Sequence, residues 1–475
     1  GVKYGSRGAT LNGKVFDAGS YYGYATGIVG FRLFPNPDFD AAAAAPWDPE
    51  EYYTDPNYAA DRDLVRPYRV GMSCGLCHVG PNPINPPADP NNPEWANLSS
   101  NVGAQYFWVD RIFFQAADFE NFPFQLFHTS RPGSLDTSFV STDNINNPRT
   151  MNAVYLLGPR LFTSKRWGKE TLSGGGLDNH QFNDYIKDGS PITTLFQPKD
   201  TVWTPRVLKD GSDSVGALGA LNRVYLNIGT FSEEWLTHFN PLVGGKPISP
   251  IKISVSRENS AYFKATEAQT LDMAKFFLKT TEAHHLADAP GGDKYLTKDA
   301  KQLTRGKIVS AENCARCHSS KQPPAMVGID PDGCTGNNYL GCWDKYWAWT
   351  NTDDYKQKAR DIVLAPDFLV DNYLSTELRV PVTLTQTNAC SPLATNALGG
   401  NIWDNFSSQS YKDLPSVGQI TYYHPYSGEP RTYDMPAGGR GYTRPPSLVS
   451  LWSTAPFLLN NTMGRFEESP SVEAR

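Results

Sequence analysis

Cys314-Ala315-Arg316-Cys317-His318 is a C-x-x-C-H pentapeptide, and its spacing is that of a haem-attachment turn. Two thiols three residues apart lie on one turn of backbone, where they reach the two vinyl groups of a porphyrin as thioethers. The histidine that follows immediately is placed to ligate the iron from one face. The same pattern stands earlier in the chain as Cys74-Gly75-Leu76-Cys77-His78. With 7 Cys and 8 His in 475 residues, composition alone gives roughly 0.002 such matches. Two matches therefore predict two covalently bound haem c groups. Cys74, Cys77, Cys314 and Cys317 are the expected attachment residues, and His78 and His318 the expected proximal iron ligands.

A Cys-x-x-Cys pair is also half of a zinc site or a redox dithiol. A zinc site needs a second pair of ligands at comparable spacing, and Cys334, Cys342 and Cys390 form no such pair near either motif. A thioredoxin-like dithiol sits in a strand-helix pattern, whereas both motifs here are flanked by segments rich in Gly and Pro. In an oxidising compartment the three remaining cysteines allow one disulfide; Cys334 with Cys342 is the nearest pair, and Cys390 is the alternative partner.

Length and composition set the frame. A chain of 475 residues suffices for two or three domains with their own cores. Hydrophobic residues make up 39% and aromatic ones 12%, while 40 Gly and 37 Pro exceed the usual share and favour short elements joined by ordered loops. The net charge of -6 comes with no basic block, which argues against nucleic acid and against an anionic membrane surface. No apolar run approaches the ~18 residues of a membrane span, so no transmembrane segment is expected. The start, Gly1-Val2-Lys3-Tyr4, has no signal-peptide core and reads as mature or trimmed. Haem c is normally attached after export, so the expected location is periplasmic or extracellular.

Along the chain, residues 1 to about 70 read as irregular wrapping. The prolines between Gly80 and Pro87 forbid a helix after the first motif. Tyr106, Trp108, Ile112 and Phe113 fall near helical spacing, and Asn144 to Asn152 suits turns and a cap. Gly174-Gly175-Gly176 lacks the following Lys-Ser or Lys-Thr of a phosphate loop. A helix is predicted from Thr266 to His285, ended before Pro290-Gly291-Gly292. The division that follows is residues 1–290 and 291–475. Lys301 to Asn313 reads as the helix that precedes the second motif, with Gly306 offering a close approach. Trp343, Trp347 and Trp349 form an aromatic cluster that suits core packing or electron relay, and Tyr355 to Val363 is helix-like. Asp330-Pro331-Asp332-Gly333 has the start of a calcium loop, but Gly341 stands where the twelfth-position Glu is required, so calcium is not expected.

Three stretches carry a family resemblance: Tyr442-Thr443-Arg444-Pro445-Pro446-Ser447-Leu448, then Trp452 to Asn461 with Ala455-Pro456-Phe457-Leu458, and Asn152-Ala153-Val154. Together with two haem motifs 240 residues apart, they resemble the bacterial di-haem cytochrome c peroxidase superfamily. That group includes the methylamine dehydrogenase maturation enzyme and the latex-cleaving rubber oxygenases. The resemblance covers about half the chain, in patches. It implies a mainly α, loop-rich fold of two cytochrome-c-like haem domains with large irregular insertions.

It also implies a redox enzyme whose first haem reacts with peroxide or dioxygen and whose second transfers electrons. The alternative is a pure electron-transfer cytochrome or a subunit of a larger redox assembly. The implied partners are a redox protein or a small oxidant. Departures bear on the ligands. Leu459 stands where the family motif carries a histidine, so the sixth ligand of the second haem is sought at His424, with Met435 and Met463 as thioether alternatives. The stretch Ser141 to Ile145 lacks the distal histidine of the peroxidases, which leaves an open first haem or a more distant ligand, His128 or His180.

Overall fold

The computed structural model describes residues 30–61, 63–72, 79–89, 94–100, 282–324, 336–376, 378–385, 409–424 and 429–454. Short pieces at 10–11, 14–15, 24–25, 120, 159, 170–171, 201–202, 206–207, 214–215, 273, 334 and 427 complete it. The chain divides into two compact units, 1–105 and 106–475, and the change of unit expected at 290 falls inside the second.

The first unit is built on a three-stranded antiparallel sheet. Phe31–Pro35 runs down the middle, with Tyr24–Ala25 on one side and Tyr68–Met72 on the other, Phe31 opposite Met72 and Pro35 opposite Tyr68. Between its last two strands lie three short helices, α1 (Ala41–Ala44), α2 (Pro49–Thr54) and α3 (Pro56–Ala60). Each starts on an aspartate whose carboxylate accepts backbone N–H groups of the first turn: Asp40, Asp48 and Asp55, at 2.7 to 3.0 Å. Pro49 and Pro56 follow their caps at the first helical position, where a fixed φ and a missing N–H cost nothing. The stretch expected to wrap irregularly is thus more regular than its composition suggests. After the first pentapeptide, Gly80–Pro81 pairs with Leu98–Ser99, and residues 79–89 contain no helix, as their prolines require.

In the second unit residues 282–285 are not helical, so the helix predicted through His285 does not include them; the rest of that predicted span, Met273 apart, lies outside the described residues. Helix α4 (Ala300–Asn313) begins on Asp299, whose carboxylate accepts from Lys301 N–H at 2.8 Å. A further turn, α5 (Ala315–His318), follows it directly. Two longer helices come next, α6 (Tyr339–Thr350) and α7 (Asp353–Leu364). Thr352 caps α7 through Tyr355 N–H at 3.3 Å, with Asp353 and Asp354 in the first turn, where the helix dipole favours negative charge.

Helix α7 packs on α4 and α5 through small side chains: Ala311, Ala315 and Ala359 are buried together with Tyr355 and Val363. Alanines permit the close approach expected at Gly306, which instead is exposed, with open space where a Cβ would stand. Helix α6 buries Tyr339, Trp343, Tyr346 and Thr350, the i, i+4, i+7, i+11 face of a helix. That face meets a second cluster formed by Val380, Val382, Tyr411, Leu414, Val417, Ile420, Met435 and Tyr442. Two antiparallel pairings frame it: Val380–Pro381 with Tyr442–Thr443, and the hairpin Gln419–Tyr423 with Pro430–Asp434. Gly439, at φ 107°, passes the buried Tyr411 ring so closely that a Cβ would lie 2.2 Å from it. Among the described residues no helix is long and apolar enough to cross a membrane.

Candidate functional site

The pentapeptide Cys314 to His318 is a single turn appended to α4. Cys314 closes the helix with its N–H on Ser310 O at 2.9 Å, and its own carbonyl accepts from Cys317 N–H at 3.0 Å and His318 N–H at 2.8 Å. The side-chain amide of Gln322 donates to Ala315 O and, at 2.8 Å, to Ser319 O, and is itself held by Tyr355 OH at 3.1 Å. Tyr346 OH donates to Arg316 O at 3.3 Å. The turn is therefore fixed by groups from α6 and α7 as well as by its own backbone.

The two variable residues are committed too. Ala315 is buried against α7, and the Arg316 guanidinium stacks 3.8 Å over the Trp347 ring while donating to Thr350 and Asn351 at 3.2 and 3.3 Å. The chain leaving His318 is clamped by Asn372, a fully buried amide. Its oxygen accepts from Ser320 N–H, Ser320 OH and Leu374 N–H at 3.0, 3.0 and 2.9 Å, and its NH2 donates to Ser319 Oγ at 3.1 Å. Leu374, two residues on, adopts φ 45°, a left-handed conformation costly for a leucine and held here by that bond.

His318 Nδ1 lies 3.1 Å from the carbonyl of Pro446. A carbonyl only accepts, so this nitrogen carries the proton, and Nε2 is left as the nitrogen with the lone pair. Such a contact to the ring nitrogen that does not bind metal is what orients a metal-ligating histidine. The segment that supplies the carbonyl is itself fixed, with Ser375 OH on Pro445 O at 2.5 Å, Ser447 OH on Tyr373 O at 2.7 Å and Leu448 N–H on Leu374 O at 3.2 Å.

Neither Cys314 nor Cys317 is in a disulfide. Burial pushes both thiols up, against a smaller opposing pull from the Arg316 charge, and Cys317 is pushed up to about 11. A redox dithiol and a zinc site both work through the thiolate, the form this environment suppresses. Among the described residues no group of three or more His, Cys, Asp or Glu is placed to hold a bare metal ion. Cys334 and Cys342 are joined in a disulfide with Cα atoms 5.9 Å apart. The donor set at the turn, two protonated thiols and an imidazole poised through Nε2, fits a covalently attached haem: the sulfurs would become thioethers and Nε2 would meet the iron.

His424 is placed differently. It is buried at the end of the hairpin strand Gln419–Tyr423; its Nδ1 accepts Ser427 N–H at 3.0 Å, and its Nε2 lies 3.2 Å from Glu120 Oε1. The other oxygen of Glu120 pairs with Arg431, which more than the histidine holds the carboxyl below its usual range. To ligate an iron through Nε2, the ring would have to leave Glu120. Met435 is buried in the core, its Cε against Gly441. Cys74, Cys77, His78, His128, His180, Asp330 to Gly333, Cys390, Met463, Asn152 to Val154 and Ala455 to Asn461 lie outside the described residues, as does the stretch Tyr106 to Phe113.

Sequence reasoning did not single out Asn372, Gln322, Tyr346 or Tyr355 as parts of this site. Gln322, four residues after His318, is the one that proximity to the motif signals. The others come from elements 28 or more residues away, and nothing in their local pattern points to the turn. No protein-family model, characterised protein or solved structure matches the chain.

Proposed function

We propose that the chain is an exported di-haem c-type cytochrome, mainly α and loop-rich, acting as a redox enzyme akin to the di-haem cytochrome c peroxidase superfamily. In this reading the first haem, at Cys74, Cys77 and His78, meets peroxide or dioxygen, and the second, at Cys314, Cys317 and His318, passes electrons to or from a partner. The observation that supports it is the Pro446 carbonyl on His318 Nδ1, which would direct Nε2 of the pentapeptide histidine at an iron, while burial raises both neighbouring thiols. The Cys334–Cys342 disulfide supports an oxidising compartment.

A haem held at such a turn supplies a one-electron couple at its iron. The chain contributes the rest. Pro446 O fixes the ring plane of His318, Tyr346 OH and Gln322 hold the turn's carbonyls, and Asn372 stops the following residues from swinging away. The test is a pyridine haemochrome of the protein purified after export, which should show a c-type band and two haems per chain; a colourless protein would overturn the reading. Carbon monoxide added to the reduced protein should shift the Soret band of one haem. No shift at either haem would replace the enzyme by a pure electron carrier.

A further inference from the structure

The strand Tyr68–Met72 forms one edge of the sheet in the first unit, beside Phe31–Pro35. Which of its backbone groups face outward follows from the register. Pro35 stands opposite Tyr68, and one step further Asn36 N–H donates to Pro67 O at 2.9 Å. Hydrogen-bonded rungs of an antiparallel pair alternate with unbonded ones, so Asn36 with Pro67, Phe34 with Arg69 and Arg32 with Gly71 are the bonded rungs. Pro35, which has no N–H, falls on an unbonded one. The N–H and C=O groups of Tyr68, Val70 and Met72 therefore point away from the sheet, and among the described residues no strand takes them up.

Natural edge strands are blunted by proline, lysine, a bulge or an inward charge. This one has none of these. Its register runs from Phe31 opposite Met72 to Pro35 opposite Tyr68 without interruption. Its single charge, on Arg69, is paired with Asp38 Oδ2 at 2.5 Å and lies on the opposite face from Tyr68 and Val70. On their own face Val70 is 66% and Tyr68 45% exposed, so an apolar pair stands at the surface beside the open backbone edge.

We infer that this edge is a homodimer interface, to which the same strand of a second copy adds antiparallel about a two-fold axis at Val70. The strand is complementary to itself there. Centred on Val70, the pairing sets Tyr68 opposite Met72 of the second copy, Val70 opposite its own counterpart and Arg69 opposite Gly71. Every outward-facing residue then meets an outward-facing one, and each such rung exchanges two hydrogen bonds. Centring the pairing on Arg69 or Gly71 loses a rung, and at Arg69 it sets two like charges directly opposite each other. With the axis at Val70, two sheets of three strands become one of six, and the exposed valines meet across it. An edge of five residues covers too little area for an obligate pair, so the dimer is reversible, with a Kd of about 10 μM. No haem enters this pairing, which stands whether or not the pentapeptides carry one.

The experiment is a sedimentation-equilibrium series on the full chain, comparing the wild type with Val70→Pro, Val70→Lys and Val70→Glu. Wild type should pass from monomer to dimer over about 1 to 100 μM. Val70→Pro removes an outward N–H without touching a bond to Phe31–Pro35, and it should raise Kd about tenfold or more. Val70→Lys and Val70→Glu each set like charges opposite each other at the axis and should do the same, whereas an equal mixture of the two should form a heterodimer of near wild-type affinity. Hydrogen exchange of the wild type needs no variant: the Tyr68 and Val70 amides should exchange slowly at high concentration and about tenfold faster at low. A wild type still monomeric at about 0.3 mM would overturn the interface. So would a dimer whose Kd none of the folded variants changes, or folded Lys and Glu variants that do not pair with each other. Amides protected equally at every concentration would overturn it too, since a segment of the same chain would then cover the edge.

Discussion

His318 and His424 are the two histidines that the sequence assigns to one iron, and the fold treats them in opposite ways. Around His318 the protein supplies an acceptor at Nδ1, the carbonyl of Pro446, which fixes the proton there and the lone pair at Nε2. Around His424 it supplies a donor at Nδ1, the N–H of Ser427, which places the proton on Nε2, facing the carboxylate of Glu120. The hydrogen bond at Nδ1 thus leaves the lone pair on Nε2 of His318 and the proton on Nε2 of His424, which suits the first to the proposed ligand role and the second to a strut. His424 ties the hairpin Gln419–Tyr423 and Pro430–Asp434 to a residue 304 positions earlier.

The sharpest way to break this contrast is a matched pair of substitutions. His318→Gln should abolish the low-spin spectrum of one haem, whereas His424→Gln should leave both visible spectra in place and lower only the thermal midpoint. A low-spin band lost in His424→Gln would put that ring on the iron and mean that it leaves Glu120. Next in size is the clamp behind His318. Asn372→Ala strands buried partners on Ser319, Ser320 and Leu374, and the expected cost is about 3 kcal/mol by urea denaturation, with m unchanged.

Slightly smaller is a pH effect confined to haem-free protein. The Cys317 thiol is raised in the fold to about 11 from an ordinary value of 9.0. A raised acid leaves stability intact below the unfolded value and erodes it as pH climbs to the folded one. Haem-free wild type should then lose about 2–3 kcal/mol more than Cys317→Ala between pH 9 and 11. Equal losses in the two proteins would show that the thiol is not buried as described. The smallest effect lies on the His424 side. Glu120 is exposed and its carboxyl is lowered by Arg431, so its contribution is present above the usual carboxylate range and fades as acid protonates it. Glu120→Gln should remove that acid sensitivity from hairpin hydrogen exchange and change little else.

Much of the second unit was legible because its signals are local. The helix before the motif was expected over Lys301 to Asn313 and spans Ala300–Asn313, and Tyr355 to Val363 lies within α7. The nearest-pair disulfide is the one formed. Where the reading failed, non-local packing decided. Gly306 suggested a helix contact, but Ala311 and Ala359 make it, since a methyl group buries area and still allows close approach. Residues 282–285 are not helical although the prediction ran through His285, and His284 N–H is taken by Ser450 Oγ at 2.8 Å, 166 residues away. Two of the three short helices after Pro35 were readable after all: Asp48-Pro49 and Asp55-Pro56 each place a cap before a first-turn proline, a pattern obscured by the Pro-rich composition around it. The site divides the same way, with Cys314, Cys317 and His318 plain in the sequence and the hydrogen bonds of Asn372 and Tyr346 set by tertiary packing.

If haem is attached at the Cys314 to His318 turn as proposed, the packing of that turn also bears on the order of events in biogenesis. In the folded turn burial raises both thiols, and the protonated thiol is the form least able to add to a vinyl group. Thioether formation and tertiary closure would then be competitors, and the productive route would join cofactor to chain while the turn is still open. A polypeptide that folded first would then be a dead end in its own maturation, and the clamp around the turn would set a deadline for making the finished protein.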